Sequence, residues 1–530
     1  GFYHLFTKQL VVGRNIADTD LYCNKRLKAY TTPIAGAADN ARATVPASCR
    51  QPSRPPPPPP GPRQRGLHLI PRATVDVRVP VRTRDRKVFP EGGHDGEPLR
   101  RSSFFFIFAK RKMSESEEES TSGADWPVTE EWLQAVLREH HKELPDPAMI
   151  TVLDFTVKPG CESGESVLSD ILAVAVKYCL REDQDGATHS LSFIIKLLPQ
   201  DPFSRYFVTE AQFDLREIKF YTQVVPDLEV FKQTIAESSD IRLPIPKCYY
   251  AHYSAGTNDP EPTPPESVLV LENIKPQGYN SADFSRGLTL RQTTAAVEAI
   301  AQIHALSLSL KVKEGKSLSE RYPFLFQTTR ASDSYQQLVE RGLPQLSQFL
   351  ERRSGLENVL AALNDLRPHT KDVIENLLAP EEPMALITHT DFWCNNLMFR
   401  EEDDSCDCSI LDWQMVTYSR PTNDLALLLI SSVPAELRRL HTDTLLDGYW
   451  DCLTATCRKL GVDIESQLGY DRMKLSEDYK RSQLLALLLC IGSVDLALGN
   501  AQMEERLLVL LEDLHADGLL NADLAAKAQK

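Results

Sequence analysis

Residues 388–414 read THTDFWCNNLMFREEDDSCDCSILDWQ and set Asp391, Asn396 and Asp412 at spacings that could do chemistry. Residues 397–399 and 406–411 are apolar or β-prone, and the cluster at 401–405 between them is polar and turn-forming. That pattern predicts an antiparallel hairpin. Its midpoint falls near Asp404, with Asn396 and Asp412 eight residues to either side, so a near-symmetric register makes them face each other at the open end. A carboxylate and an amide oxygen meeting there suit Mg²⁺, which is commonly held by one or two side-chain oxygens together with phosphates and water. Asp391 lies just upstream, on the loop feeding the hairpin, placed to orient or deprotonate an attacking hydroxyl.

H-x-D-x-x-x-x-N followed by a strand ending in Asp is the arrangement with which kinase-like phosphotransferases build a reaction centre. The runs HTDFWCNNLMF, ILDWQ and PTNDLALLL resemble the CHK kinase-like family, also called ecdysteroid kinase-like, relatives of the choline kinases and aminoglycoside phosphotransferases. The resemblance extends over residues 126–514. It implies an α+β, bilobal protein-kinase-like fold, with an N-terminal antiparallel sheet lobe carrying a helix and a larger, mainly helical C-terminal lobe. It also implies Asp391 as the catalytic base or hydroxyl-orienting residue, Asn396 and Asp412 as metal ligands, and ATP and Mg²⁺ as cofactors. The implied acceptor is an alcohol on a small molecule, an ecdysteroid or a hydroxylated xenobiotic. Thr390 stands where the family usually has glycine, a change that constrains the turn and touches no reacting group. Gln414 stands where choline and ethanolamine kinases usually carry an acid after the metal-binding Asp, which points away from those two substrates.

Other elements must position these groups. From residue 150 the pattern reads as strands: ITVLDFTVKPG, VLSDILAVAVKYCL and HSLSFIIKLLP. In the polar turn at 160–166, backbone N–H groups and the hydroxyls of Ser163 and Ser166 could cover ATP phosphates. Gly160 and Gly164 do not form G-x-G-x-x-G, however, and a plain hairpin turn is the simpler account. Lys196 closes the apolar run Phe193-Ile194-Ile195 and needs a partner or a path to water. It either snorkels at the strand end or, as in kinases, contacts the α- and β-phosphates under the control of a helix glutamate. In the amphipathic segment 207–224, Phe213, Glu217 and Tyr221 recur every four residues, so Glu217 lies on the apolar stripe. Glu210 shares roughly that face one heptad earlier, and the resemblance of EIKFYTQVVPDL to the family favours Glu217. SVLVLENIKPQGY predicts a strand stopping at a charged turn, and Leu271 to Asn273 is the candidate hinge whose backbone groups would meet adenine.

From residue 290 the pattern is mostly helical. RQTTAAVEAIAQIHALS places His304 on an apolar face, as a core histidine with its hydrogen bond satisfied. His389 is expected to brace the loop at 389–396 through hydrogen bonds to backbone. PTNDLALLLI begins a helix at Pro421, with Asn423 or Asp424 as its cap. Fewer than ten residues separate Asp412 from that helix, whereas a protein kinase needs a longer activation segment there. Trp393 also occupies a position where protein kinases commonly carry lysine. Both features point to a small hydroxylated substrate.

Two unlike pieces make up the 530 residues. Residues 1–112 carry 21 Lys and Arg against 8 Asp and Glu, whereas the remainder carries 38 against 66. The first piece is proline-rich, lacks methionine and shows little hydrophobic periodicity, so it is expected to be disordered. One reading makes it upstream or mispredicted sequence before a start at Met113; the other makes it a basic tail for an acidic partner or membrane surface. An acidic leader at 113–125 then precedes an N-lobe at 126–273 and a C-lobe at 274–526, the latter holding the catalytic loop 389–396 and the metal-binding segment 412–414. The strong negative charge after Met113 argues against nucleic acid. The apolar runs at 104–109, 425–430 and 484–491 are too short to cross a bilayer. Nine cysteines after Met113 lack framework spacing, as expected of a protein with free thiols in the cytoplasm. No obligate protein partner is evident. The reading from a different functional class is a catalytically weak kinase-fold protein that binds a lipophilic ligand.

Overall fold

The alternating strands at 150–197 can bury only one side of a sheet by themselves, and the chain covers that side with a helix that precedes them. The computed structural model describes residues 128–142, 150–161, 168–181, 187–235, 240–256, 263–325 and 328–526. Residues 1–112, the leader at 113–125, Ser163 and Ser166 lie outside the described residues. Helix α1 (Glu130–His140) starts at Thr129, whose side chain accepts from the Trp132 N–H. Strands β1 (Ile150–Pro159), β2 (Asp170–Leu180), β3 (Thr188–Leu197), β4 (Cys248–Ser254) and β5 (Glu266–Glu272) form one antiparallel sheet in the order β1-β2-β3-β5-β4. On one face Val174, Val176, Phe193, Ile195, Val268 and Val270 pack with Leu133, Val136 and Leu137 of α1.

Strand periodicity sends the intervening residues to the other face. There the register aligns Ala173 with Ile194 and Leu271, and Ile171 with Lys196 and Leu269, in two adjacent rows. The helical segment after β3 is not continuous. It breaks at Gln212, whose φ of 56° is left-handed, into α2 (Pro202–Ala211) and α3 (Phe213–Lys219), followed by a π-helical turn at Phe220–Val224 and α4 (Val225–Gln233). The break removes Glu210 from the face that Glu217 occupies and leaves it exposed on α2.

A short strand, β6 (Asn280–Ser281), leads to α5 (Leu290–Glu314), which begins with a capping box between Thr289 and Gln292. Among the described residues α5 is the one helix long and apolar enough to cross a membrane, but 83% of its apolar window is buried inside the protein. It is a core helix. The second lobe continues with α6 (Thr328–Glu351), α7 (Glu357–Leu366), α8 (Thr370–Leu378) and β7 (Leu386–Thr388). Strands β8 (Leu397–Glu401) and β9 (Cys406–Ile410) form the hairpin, with β6 on its edge, and β10 (Thr417–Ser419) pairs with β7. Helices α9 (Pro421–Ser432), α10 (Ala435–Lys459), α11 (Arg472–Gly492) and α12 (Ala501–Ala516) complete it. Every residue of α9 is buried, as its apolar sequence requires. The result is an α+β, bilobal, protein-kinase-like architecture.

Candidate active site

β7 delivers the chain to a loop whose backbone is pinned by a buried carboxylate. The two oxygens of Asp424 accept from the N–H groups of His389 and Thr390, each at 2.8 Å. The sequence offers Asn423 or Asp424 as the helix cap, yet α9 begins at Pro421 without a side-chain cap and Asp424 lies within it, fully buried. A carboxyl group buried within a helix must find partners, and that rule is the signal that locates this residue. His304 of α5 holds Asp424 from the other side, with Nε2 at 3.2 Å from Oδ2, while its Nδ1 meets the Tyr449 hydroxyl at 2.8 Å. Thr390 adopts φ 65°, the left-handed region that favours glycine. Asp424 and the contact of the Thr390 hydroxyl with that of Thr388 at 3.1 Å hold it there.

His389 braces the same loop. Its Nδ1 accepts from the Asp391 N–H at 3.2 Å, which leaves Nε2 to donate to the Leu411 carbonyl at 2.8 Å. Asn396 Nδ2 donates to both the carbonyl and Oδ2 of Asp391, at 2.8 and 2.9 Å. Those two acceptors assign the nitrogen side of the amide and leave Oδ1 as the side that could meet a metal.

The hairpin differs from the expected register by one residue. Leu397 pairs with Ile410, so Asn396 lies opposite Leu411, whose N–H donates to the Asn396 carbonyl at 2.8 Å. Asp412 has left the ladder, with φ 62° and ψ 61°. The reason is the loop, where Glu402 donates to the Ser405 carbonyl and closes the turn between residues 403 and 404. Asn396 and Asp412 still flank the same end, but as a strand start and a turn rather than as a cross-strand pair.

Asp412 reaches the first lobe. Lys196 Nζ lies 2.6 Å from Asp412 Oδ1 and 2.5 Å from Glu217 Oε2. Burial alone would lower the Lys196 pKa, but Asp412 and Glu217 outweigh it and hold the ammonium charged, above its ordinary range. Glu217 moves up instead, because burial penalises its charge and Asp412 repels it, against the pull of Lys196. One cation thus serves two carboxylates. Glu217, rather than Glu210, is the helix partner of the lysine.

The residues after Asp412 fasten α3 to the loop at 389–396. Trp413 stacks on Phe220 at 4.1 Å between ring centroids and 8° between planes, and meets His389 edge-on at 4.6 Å. Arg216 Nε donates to the Gln414 carbonyl at 3.0 Å. Behind Lys196 and Glu217 a small cavity is lined by Asp214, Ser267 and Gln414. Burial pushes the Asp214 carboxyl up, against lowering by the Leu215 backbone and Ser267.

The face bearing Lys196 continues to a cleft lined by Thr156, Ala175, Ser192, Glu272, Asn273 and Gln277. Small Ala175 lines it, and Ala173 follows two residues away on the same face, in a row with Ile194 and Leu271. Two hinge expectations need correction. Leu271 lies within β5, with Ile194 and Cys248 as partners on its two sides, and so offers its side chain to this face. Asn273 spends its backbone N–H on the Ser192 carbonyl at 3.2 Å and its Nδ2 on the Ser192 hydroxyl at 3.0 Å. It shapes the cleft edge rather than presenting a donor.

A model of the ecdysteroid kinase-like family matches residues 163–462. Among curated proteins, the uncharacterized oxidoreductase dhs-27 of Caenorhabditis elegans is 20% identical over 311 residues, 56% of this chain and 34% of that protein. The chain therefore spans about a third of the length of that relative. Among solved structures, the choline kinase of Cryptosporidium parvum Iowa II is 12% identical, with 74% of this chain and 97% of that chain covered at a TM-score of 0.37. Choline kinase LicA of Streptococcus pneumoniae is 16% identical, with 73% and 99% covered at a TM-score of 0.32. Neither likeness bears on the chemistry of the site.

Proposed function

The chain belongs to the ecdysteroid kinase-like family, and from that premise we propose that it transfers the γ-phosphoryl group of ATP, with Mg²⁺, to a hydroxyl group of a small molecule. The observation that carries this reading is the convergence of Lys196, Glu217 and Asp412 from two lobes, at 2.5 and 2.6 Å, beside the buried Asp391–Asn396 pair. The donor set fits the metal, since one carboxylate and one amide oxygen are what Mg²⁺ takes from protein when phosphates supply the rest. Asp412 and Asn396 would hold it. When bound, the ion neutralises charge developing on the phosphoryl oxygens. Lys196, kept charged by its two carboxylates, would meet the α- and β-phosphates, and Glu217 would keep its side chain in place. Adenine would lie under Ala173, Ile194 and Leu271. Asp391, oriented by Asn396 and by a backbone tied to His389, would orient the acceptor hydroxyl and take its proton.

The acceptor is an ecdysteroid or a hydroxylated xenobiotic. Supporting this, the stretch from Asp412 to Pro421 holds only a single helical turn and the three residues of β10, which leaves no platform for a peptide. Trp393, where protein kinases place a lysine, is buried against Phe284 at 5.2 Å. Nine free cysteines among the described residues support a cytoplasmic location. A protein that only sequesters a lipophilic ligand has no use for the Lys196–Glu217–Asp412 contact. Incubation with labelled ATP, Mg²⁺ and a panel of steroid and phenolic alcohols tests the proposal. Labelled product should form, and Asp391→Asn should lower turnover about a hundred- to ten-thousandfold without unfolding the protein. Asp391→Asn and Asp412→Asn proteins that turn over at the parent rate would sink it.

A further inference from the structure

A second cavity lies beneath the catalytic loop, where the ends of α9 and α11 meet the start of α10 and α12. Its walls are mostly apolar, with Ile430, Val494, Met503 and Leu507 among them, and among the described residues no carboxylate lines it. Two arginines do. Arg438 is paired with Asp513, at 2.6 Å, a carboxylate it shares with Arg439. Arg506 has no carboxylate partner among the described residues; it donates to the carbonyls of Phe284 and Ser431, at 3.0 and 2.9 Å. Those bonds use two of five guanidinium donors. Burial pushes its pKa down, so this cation is held at a cost and without a counter-ion in a chain whose net charge is −15.

We propose that this cavity binds a small apolar acid, with its hydrocarbon body among the aliphatic side chains and its anionic group on Arg506. A carboxylate, sulfonate or phosphate monoester would supply the missing counter-charge and accept the unused N–H donors, which a neutral alcohol or a cation cannot do. The ligand would be felt in the loop that carries Asp391. Phe284, whose carbonyl Arg506 holds, packs edge-on against Trp393 at 5.2 Å. Ser432, next to the other carbonyl that Arg506 holds, accepts from the Cys394 N–H at 2.9 Å. The inference does not depend on phosphoryl transfer and is read by binding alone.

Calorimetric titration of the full chain with octanoate, octanol and octylammonium tests it. Octanoate should bind saturably and at least tenfold more tightly than octanol, with octylammonium weakest. Arg506→Gln, which keeps an amide donor for the backbone carbonyls, should weaken octanoate at least tenfold, and Arg506→Lys should recover part of the loss. Ala497→Trp fills the cavity from a different wall and should abolish binding; it decides alone if the Arg506→Gln protein does not fold. Equal affinity for the three compounds, no saturable octanoate binding, or octanoate affinity unchanged in both Arg506→Gln and Ala497→Trp overturns the proposal.

Discussion

Lys196 balances two carboxylates, whereas at the neighbouring acid, Asp214, burial outweighs the pull of Arg216. Asp214 lines the cavity behind the Lys196–Glu217 pair, and burial is the largest influence on it, raising its pKa. An acid whose folded-state pKa lies above its unfolded value binds its proton more tightly when folded. Its contribution to stability is therefore fully present below the unfolded pKa and is lost as pH rises through the folded one. Above the unfolded pKa that shift is a cost to the fold. Asp214→Asn should raise stability by on the order of 1 kcal/mol at pH 7, and the gain should shrink as pH falls into the ordinary carboxylate range near about 4. Denaturant unfolding of both proteins at pH 7 and pH 4.5 checks the sign. A loss of stability at pH 7, or a gain that grows on acidification, contradicts it.

At the scale of elements, the loop at 389–396 holds the Asp391 backbone with its own His389 and Asn396, whereas its His389 and Thr390 N–H groups depend on α5, α9 and α10 through Asp424, His304 and Tyr449. Asp424→Ala leaves two buried N–H groups and a histidine without their acceptor. The expected cost is on the order of 3 kcal/mol in unfolding free energy. Turnover should fall while the KM for ATP stays near the parent value, because no nucleotide-side group is touched. Unchanged thermal stability and kcat would show that the loop is held some other way. This clamp was hidden in the sequence because Asp424 stands one turn into a helix, where an acid also reads as a cap, and burial is decided by partners far along the chain. The hairpin was legible from its polar turn between apolar runs, and Glu217 from its place on an apolar stripe. The register was not, since a one-residue change in turn closure moves Asp412 off the ladder without altering the alternation. The left-handed Gln212 was equally silent, because nothing in the residue type demands that conformation. The hinge failed for a related reason: the residue that ends a strand pattern still spends its backbone on the neighbouring strand, as Asn273 does on Ser192.

Across the whole molecule, the sheet lobe and the hairpin are joined at the site by the contact of Lys196 with Asp412 and by the stack of Phe220 on Trp413. Nucleotide phosphates entering with Mg²⁺ would take over both ends of the first contact, with Lys196 turning to the phosphates and Asp412 to the ion. Ligand binding would then draw on the residues that join the lobes, and the folded state would gain stability by mass action, about 2.7 kcal/mol at a hundredfold excess over Kd. The two aspartates should separate cleanly in that measurement. Asp412→Asn removes the proposed ligand of the ion and the partner of Lys196, so it should abolish the rise in melting temperature expected from Mg²⁺ with ATP. Asp391→Asn leaves the phosphate-side groups intact and should keep the rise while losing turnover. Differential scanning calorimetry of the three proteins, with and without Mg²⁺ and a non-hydrolysable ATP analogue, reads both effects at once. If Asp412→Asn kept the full shift, or Asp391→Asn lost it, the division of labour between metal binding and hydroxyl activation would be wrong.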